Sequence, residues 1–102
     1  MSVIHVNKSN YNSVKASEKP VLLDFYADWC GPCRMVGPLV EEIAGEHPEY
    51  VIAKVNVDEE PELGREFKIT SIPALFVIRD GDVTDSVVGY RDKEALLELL
   101  EG

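Results

Sequence analysis

The chain has 102 residues, 45% of them apolar, which suffices for one modest core and predicts a single domain over residues 1–102. Its formal net charge is -9, from 10 basic and 19 acidic side chains, and this excess of acid argues against nucleic acids and anionic membranes as partners. The N-terminus has no basic start followed by a long apolar stretch, and no segment is long enough to span a bilayer. We therefore expect a cytoplasmic protein, in a compartment where thiols are kept reduced.

The first quarter of the chain predicts two strands separated by a short helix. "SVIHV" (2–6) alternates loosely as a strand does, and Ser9 and Asn10 are candidate N-caps for the helix. "VLLDFYA" (21–27) is a nearly continuous apolar run. Such a run is typical of a central parallel strand covered on both faces.

A long helix and a third strand are predicted next. Apolar residues recur with a period near 3.6 from Gly31 to about Glu46, and Pro38 inside this segment is expected to bend the helix. "YVIAKVNVD" (50–58) then alternates in polarity. A strand, a helix and a strand form a βαβ unit, whose two strands are expected to be parallel.

The remainder predicts a short helix in "EEPELGREFKI" (59–69), two strands and a final helix. The strands Ala74–Ile78 and Val83–Gly89 flank an Asp-Gly pair, which is a strong hairpin signal. The helix of "DKEALLELLEG" has Asp92 as its candidate N-cap. The predicted fold class is therefore α/β, with a central mixed sheet flanked by helices on both faces.

The two cysteines of the chain, Cys30 and Cys33, lie at the predicted start of the long helix. Cys-X-X-Cys spacing there brings the sulfurs near each other, and the free backbone N–H groups and helix dipole favour a thiolate at Cys30. Thiolates attack disulfides, so Cys30 is the candidate nucleophile and Cys33 the resolving thiol. Pro32 is compatible with a first helical turn, and Gly31 allows another chain's backbone to approach.

A structural zinc site is the main alternative for a Cys-X-X-Cys pair. Such a site requires four ligands, and this chain adds only His5 and His47, neither of which is at ligand spacing. We therefore predict that no metal is bound.

Asp24 interrupts the apolar strand and has two interpretations. On an edge strand it would face solvent, whereas in a strand covered on both faces it would be buried, with a raised pKa. A buried Asp24 is positioned to accept the proton of Cys33 through water. Lys54, on the neighbouring strand, is either its partner or a surface lysine, and the sequence alone favours neither.

Pro73 also has two interpretations. Proline is common at the start of a strand, and because cis bonds are a small minority of X-Pro bonds, sequence statistics favour an ordinary trans peptide.

Taken together, three segments resemble the thioredoxin family across essentially the whole chain. They are "FYADWCGPCRMVGP" (25–38), "KVNVDEEPELGREFKITSIPALFVIRDGD" (54–82) and "VVGY" (87–90). The resemblance implies the thioredoxin fold, with Cys30 as nucleophile and Cys33 as resolving cysteine. It also implies a buried acid at Asp24 with Lys54 as its companion, and a cis proline at Pro73. The family's apolar docking surface corresponds to Trp29, Gly31, Pro32, Ile72, Pro73, Val88 and Gly89.

The resemblance implies a monomeric protein dithiol–disulfide oxidoreductase with a reversible Cys30–Cys33 disulfide and no bound cofactor. Disulfide-containing proteins would be its substrates, and a flavin-containing thioredoxin reductase would return electrons from NADPH. One alternative is a specialised thioredoxin-like protein dedicated to a single partner. Another is a binding module on the same fold without redox turnover, which the retained cysteines and Asp24 argue against.

Overall fold

The computed structural model describes residues 3–102, so Ser2, the first residue of the first predicted strand, lies outside the described residues. Within this range the chain forms five strands and four helices. The strands are β1 (Val3–His5), β2 (Val21–Tyr26), β3 (Val51–Asn56), β4 (Ala74–Arg79) and β5 (Asp82–Val88). The helices are α1 (Tyr11–Lys15), α2 (Gly31–Glu46), α3 (Pro61–Glu66) and α4 (Lys93–Glu101). In this range no helix is long and apolar enough to cross a membrane.

The strands form one mixed sheet in the order β1-β3-β2-β4-β5. β1, β3 and β2 are parallel, and β4 and β5 are antiparallel to their neighbours. The predicted βαβ unit and the predicted hairpin are thus confirmed, as is the α/β class. In the hairpin turn, Asp80 and Gly81 have φ values of 54° and 84°, a conformation typical of the two-residue turns that match the twist of the strands.

The central strand β2 is buried along nearly its whole length because helices cover both faces of the sheet. On one face, Leu23 and Phe25 pack in a core with Val14 of α1 and Leu63 of α3. On the other face, the core consists of side chains from β2, β3, β4, α2 and α4: Leu22, Ile52, Leu75, Val77, Val36, Val40, Ile43, Leu96 and Leu100. Burial of each such side chain stabilises the fold by roughly 1.5–3 kcal/mol before entropy is counted.

The ends of the elements follow local side-chain chemistry. Asp92 is the N-cap of α4, as predicted, and its Oδ1 accepts a hydrogen bond from the Ala95 N–H at 2.9 Å. Asn10 precedes α1 but makes no side-chain cap, because its Oδ1 instead accepts a hydrogen bond from the Asn7 N–H at 2.8 Å. Arg79 donates to the carbonyls of Leu99 and Leu100 at 2.8 and 2.7 Å, so it satisfies the C-terminal end of α4.

β3 ends at Asn56, two residues earlier than predicted. The Asn56 Oδ1 accepts hydrogen bonds from the N–H groups of Asp58 and Glu59 at 2.9 and 3.3 Å. The Val57 N–H still donates to the Tyr26 carbonyl of β2 at 2.9 Å, but the next two N–H groups are taken by this side-chain turn, so the strand goes no further. Pro38 lies inside α2, and the bend expected there stays a prediction.

Two glycine substitutions should have opposite effects on stability. Gly45 is an exposed residue of α2, and a Cβ added there would meet no heavy atom within 4 Å, so Gly45→Ala should raise the free energy of unfolding by about 0.4–1 kcal/mol. Gly81 has a φ of 84°, which a residue with a Cβ adopts only with strain, so Gly81→Ala should lower the free energy of unfolding by about 1 kcal/mol or more. Urea unfolding of both variants measures the two changes, and the same sign for both would contradict this explanation.

Candidate active site

Cys30 is the N-cap of α2 and directly follows the loop that leaves the central strand β2. Its Sγ accepts a hydrogen bond from the Cys33 backbone N–H at 3.2 Å, and Cys30 forms a disulfide with Cys33 over a Cα–Cα distance of 5.2 Å. Free N–H groups and the helix dipole at this position lower the free energy of a thiolate relative to the thiol. Each cysteine is only 5% exposed, so little of the pair is open to a reaction partner.

The segment before β4 contacts the cysteine pair. The Ile72 carbonyl oxygen lies 3.7 Å from the Cys30 Sγ, and the Ile72–Pro73 peptide is cis, as the family resemblance implied and against the statistical preference for trans. The Gly89 N–H donates to the Pro73 carbonyl at 2.7 Å. The end of β5 is therefore joined to the same side of the molecule as the disulfide.

The side chains around the disulfide form an exposed apolar area. Trp29 is 68% exposed and Val88 56% exposed, and Gly31 and Pro32 are also exposed. Ile72 is half-buried, Gly89 is partly exposed and Pro73 is buried. A groove of about 280 Å³ adjoins this area and is lined by Trp29, Val57, Pro61, Gly64, Arg65, Ile69, Thr70, Ser71 and Ile72.

The orientation of Trp29 depends on a residue that the sequence patterns did not single out. The indole Nε1 donates to the Asp58 carboxylate at 2.8 Å, and Asp58 itself belongs to the turn that the Asn56 side chain closes. The Asn-X-Asp pattern after β3 is a turn signal, but it does not indicate which side chain Asp58 contacts.

Asp24 is buried, as expected for an acid in a strand covered on both faces. It is 1% exposed, and its Oδ1 has no hydrogen-bond partner among residues 3–102. In the sheet it lies opposite Lys54 of β3 and Leu75 of β4. Burial raises the pKa of Asp24 to about 6, and the positive charge of Lys54 partly offsets this rise. The carboxyl group is therefore poised to exchange a proton near neutral pH.

Lys54 takes a position between its two predicted ones. Its side chain is only 13% exposed, as expected for a buried companion of Asp24. Among residues 3–102, however, its Nζ forms an ion pair with Glu41 of α2, at 3.9 Å, and none with Asp24. The same Nζ lies 4.5 Å from the centroid of the Tyr26 ring. Lys54 and Cys33 line one groove of about 800 Å³, with Tyr26, Ala27, Asp28, Arg34, Gly37, Pro38, Glu41 and Glu42.

The two histidines lie away from the cysteines in other local environments. His47 Nδ1 lies 2.9 Å from Glu49 Oε2 and its ring stacks on Tyr50, whereas His5 is exposed in β1. Across the described part of the chain no group of three or more His, Cys, Asp and Glu side chains could hold a metal ion.

Comparisons with known proteins agree with this geometry. A family model described as "Thioredoxin" matches residues 2–102. A thioredoxin of Staphylococcus haemolyticus is 42% identical over 103 aligned positions, covering 99% of this chain and 97% of that protein. A bifunctional thioredoxin reductase/thioredoxin of Mycobacterium leprae is 47% identical over 90 positions, covering 87% of this chain and 20% of that protein. The solved structure of a mutant thioredoxin from Halobacterium salinarum superposes with a TM-score of 0.91 at 38% identity, covering 98% of this chain and 88% of that one.

Asp24→Asn should stabilise the protein in a pH-dependent way. The folded-state pKa of Asp24 is about 6, against an ordinary value of 3.8, so the native state binds more protons between these values. The free energy of unfolding therefore falls as pH rises through this window, by about 3 kcal/mol in total, and the neutral amide escapes this loss.

Urea unfolding of the oxidised protein at about pH 3.5 and at about pH 8, which lie below and above the window, measures the effect. We expect a gain of about 3 kcal/mol for Asp24→Asn at the higher pH and little change at the lower. An equal gain at both pH values would show that the carboxylate charge is not its cause.

Proposed function

This chain belongs to the thioredoxin family, and we propose that its protein dithiol–disulfide exchange proceeds through Cys30 as nucleophile and Cys33 as resolving thiol. The observation that carries the proposal is the Cys30–Cys33 disulfide at the N-terminus of α2, next to an exposed apolar surface. We also propose that residues 1–102 act as one thioredoxin domain.

The reaction begins with the Cys30 thiolate attacking one sulfur of a partner's disulfide. The partner's S–S bond breaks, a mixed disulfide with Cys30 forms, and the other partner sulfur leaves as a thiolate. The Cys33 thiol then loses its proton and attacks the Cys30 Sγ. This step forms the Cys30–Cys33 disulfide and releases the second partner sulfur, so the partner gains two electrons and two protons in total.

Asp24 is proposed to accept the Cys33 proton. The groove that Cys33 and Lys54 line has room for water, and Asp24 is the neighbour of Lys54 in the β2–β3 ladder, so a water at the inner end of this groove is proposed to relay the proton. A carboxylate whose pKa is about 6 is a better base near neutral pH than one with an ordinary pKa. Lys54 is proposed to act as the companion cation that limits how far this pKa rises.

Substrate proteins are proposed to dock on the apolar area around Cys30. The area comprises Trp29, Gly31, Pro32, Ile72, Pro73, Val88 and Gly89. The small residues leave the backbone accessible, and Trp29 and Val88 supply exposed apolar area, so an extended substrate segment can lie close to the sulfur. Recognition of this kind depends on a substrate's exposed disulfide more than on its side chains, as a general reductase requires.

A flavin-containing thioredoxin reductase that uses NADPH is the proposed electron donor. The Mycobacterium leprae relative, whose name joins thioredoxin reductase and thioredoxin in one chain, supports this pairing. We further propose that the protein acts as a cytoplasmic monomer.

Substitution of the two cysteines should separate their roles. Cys30→Ser should abolish insulin disulfide reduction with dithiothreitol, because no nucleophile remains. Cys33→Ser should accumulate mixed disulfides through Cys30, because the resolving thiol is absent. Turbidity and non-reducing electrophoresis measure the two effects.

Full activity of Cys30→Ser would contradict the assignment of the nucleophile. Trapping of one partner alone by Cys33→Ser, in place of many, would favour the specialised alternative.

The donor is tested by supplying the oxidised protein with a defined NADPH-dependent thioredoxin reductase or with glutathione and a glutaredoxin. We expect NADPH and the reductase to reduce the Cys30–Cys33 disulfide at least about tenfold faster than the second donor, as measured by alkylation of the free thiols over time, because the docking surface would admit the reductase's own dithiol. Faster reduction by glutathione would remove the reductase from the proposal.

A further inference from the structure

Two carboxylates neighbour Lys54, the buried one of Asp24 and the surface one of Glu41. Asp24 pairs with Lys54 across the β2–β3 ladder, whereas Glu41 reaches it from α2. The Nζ lies 3.9 Å from Glu41 Oε2, and within residues 3–102 no ion pair of 4 Å or less joins it to Asp24. The cation is therefore directed toward the surface carboxylate.

Two neighbours make this outward position favourable. The Nζ lies 4.5 Å from the centroid of the Tyr26 ring, within the range of a cation–π contact. Glu41, which is 59% exposed, supplies the countercharge at the outer end.

We propose that Glu41 is a positioning residue: its carboxylate holds the Lys54 ammonium away from Asp24 and so sets the proton affinity of the buried carboxyl group. The consequence for turnover rests on the proposed function, in which Asp24 accepts the Cys33 proton. Glu41 itself touches neither the sulfurs nor a substrate in this arrangement.

The physical basis is the dependence of Coulomb energy on distance and surroundings. Asp24 is 1% exposed, so its interaction with Lys54 is weakly screened and changes steeply when the Nζ moves by an ångström or two. The contact between Lys54 and Glu41 is close to solvent and therefore more strongly screened. A change at the surface thus alters the charge balance at a buried site without any contact between the two carboxylates.

Several other charged or titratable groups around this site are neutral or have partners of their own. Tyr26 has a pKa raised by burial, so its phenol is neutral at physiological pH. Arg34 donates to the Asp28 carbonyl at 2.9 Å, and from α4 Lys93 pairs with Glu42 and Glu46 at 3.1 and 2.6 Å. β4 places the uncharged Leu75 opposite Asp24. The remaining titratable neighbours on the groove are Cys33, Asp28, Glu41 and Glu42.

The experiment follows the Asp24 carboxyl carbon by 13C NMR during pH titration of the full chain, in the oxidised and the reduced form. Glu41→Gln should lower the Asp24 titration midpoint by about one pH unit, because the freed ammonium moves toward Asp24. Glu42→Gln is the matched control: it makes the same chemical change one residue away, at a carboxylate paired with Lys93, and should leave the midpoint within about 0.2 of the wild type.

A Lys54→Met background separates the positioning role from direct repulsion between the two carboxylates. Adding Glu41→Gln there should no longer lower the midpoint, because no ammonium remains to be repositioned. An equal fall with and without Lys54, or equal effects of Glu41→Gln and Glu42→Gln, would overturn the proposal.

Turnover supplies the second measurement. Glu41→Gln should move the acid limb of the insulin-reduction profile to lower pH by the same amount as the titration midpoint, with KM unchanged. If the Asp24 titration midpoint shifts but the pH profile of insulin reduction does not, the positioning role of Glu41 is supported and the role of Asp24 in turnover is overturned. Failure of the proposal and failure of the proposed function are therefore distinguishable.

Discussion

The burial of β2 on both faces is the constraint on which the rest of the molecule depends. β2 pairs with β3 on one side and β4 on the other, and helices cover it above and below. A strand in this position contributes apolar side chains to both cores, so it cannot shift register without moving them. The end of such a strand is a rigid point from which a reactive residue can be presented.

The same burial explains why one acid in this strand differs from the many acids on the surface. Most of the acidic side chains of the chain are solvated, whereas Asp24 is removed from water without a hydrogen-bond donor for its Oδ1 within residues 3–102. The fold bears an energetic cost for this charge at neutral pH. A buried group held at such a cost is characteristic of sites where proton exchange matters more than stability.

Much of this arrangement could be predicted from the sequence because local signals and the fold agree. The apolar run of β2, the helical period of α2, the Asp-Gly turn and the Asp92 cap each depend on neighbouring residues alone, and all are confirmed. The cis state of Pro73 was beyond residue statistics, since it depends on contacts made by distant segments, and only the family resemblance indicated it. The contact of Lys54 with Glu41 was not predicted, because helical phase alone does not specify which side chain of α2 reaches β3.

β5 lies at the edge of the sheet, and its composition has a consequence for contacts between copies of the protein. From Asp82 to Ser86 its side chains are exposed and include two aspartates, and its pairing with β4 shifts between Val77 and Ile78. Charges and an irregular register oppose the addition of a further strand from another molecule. The last residue of β5, the exposed Val88, precedes Gly89, whose N–H donates to the carbonyl of Pro73. The edge is thereby divided into a charged stretch that opposes strand addition and a short apolar end at Val88.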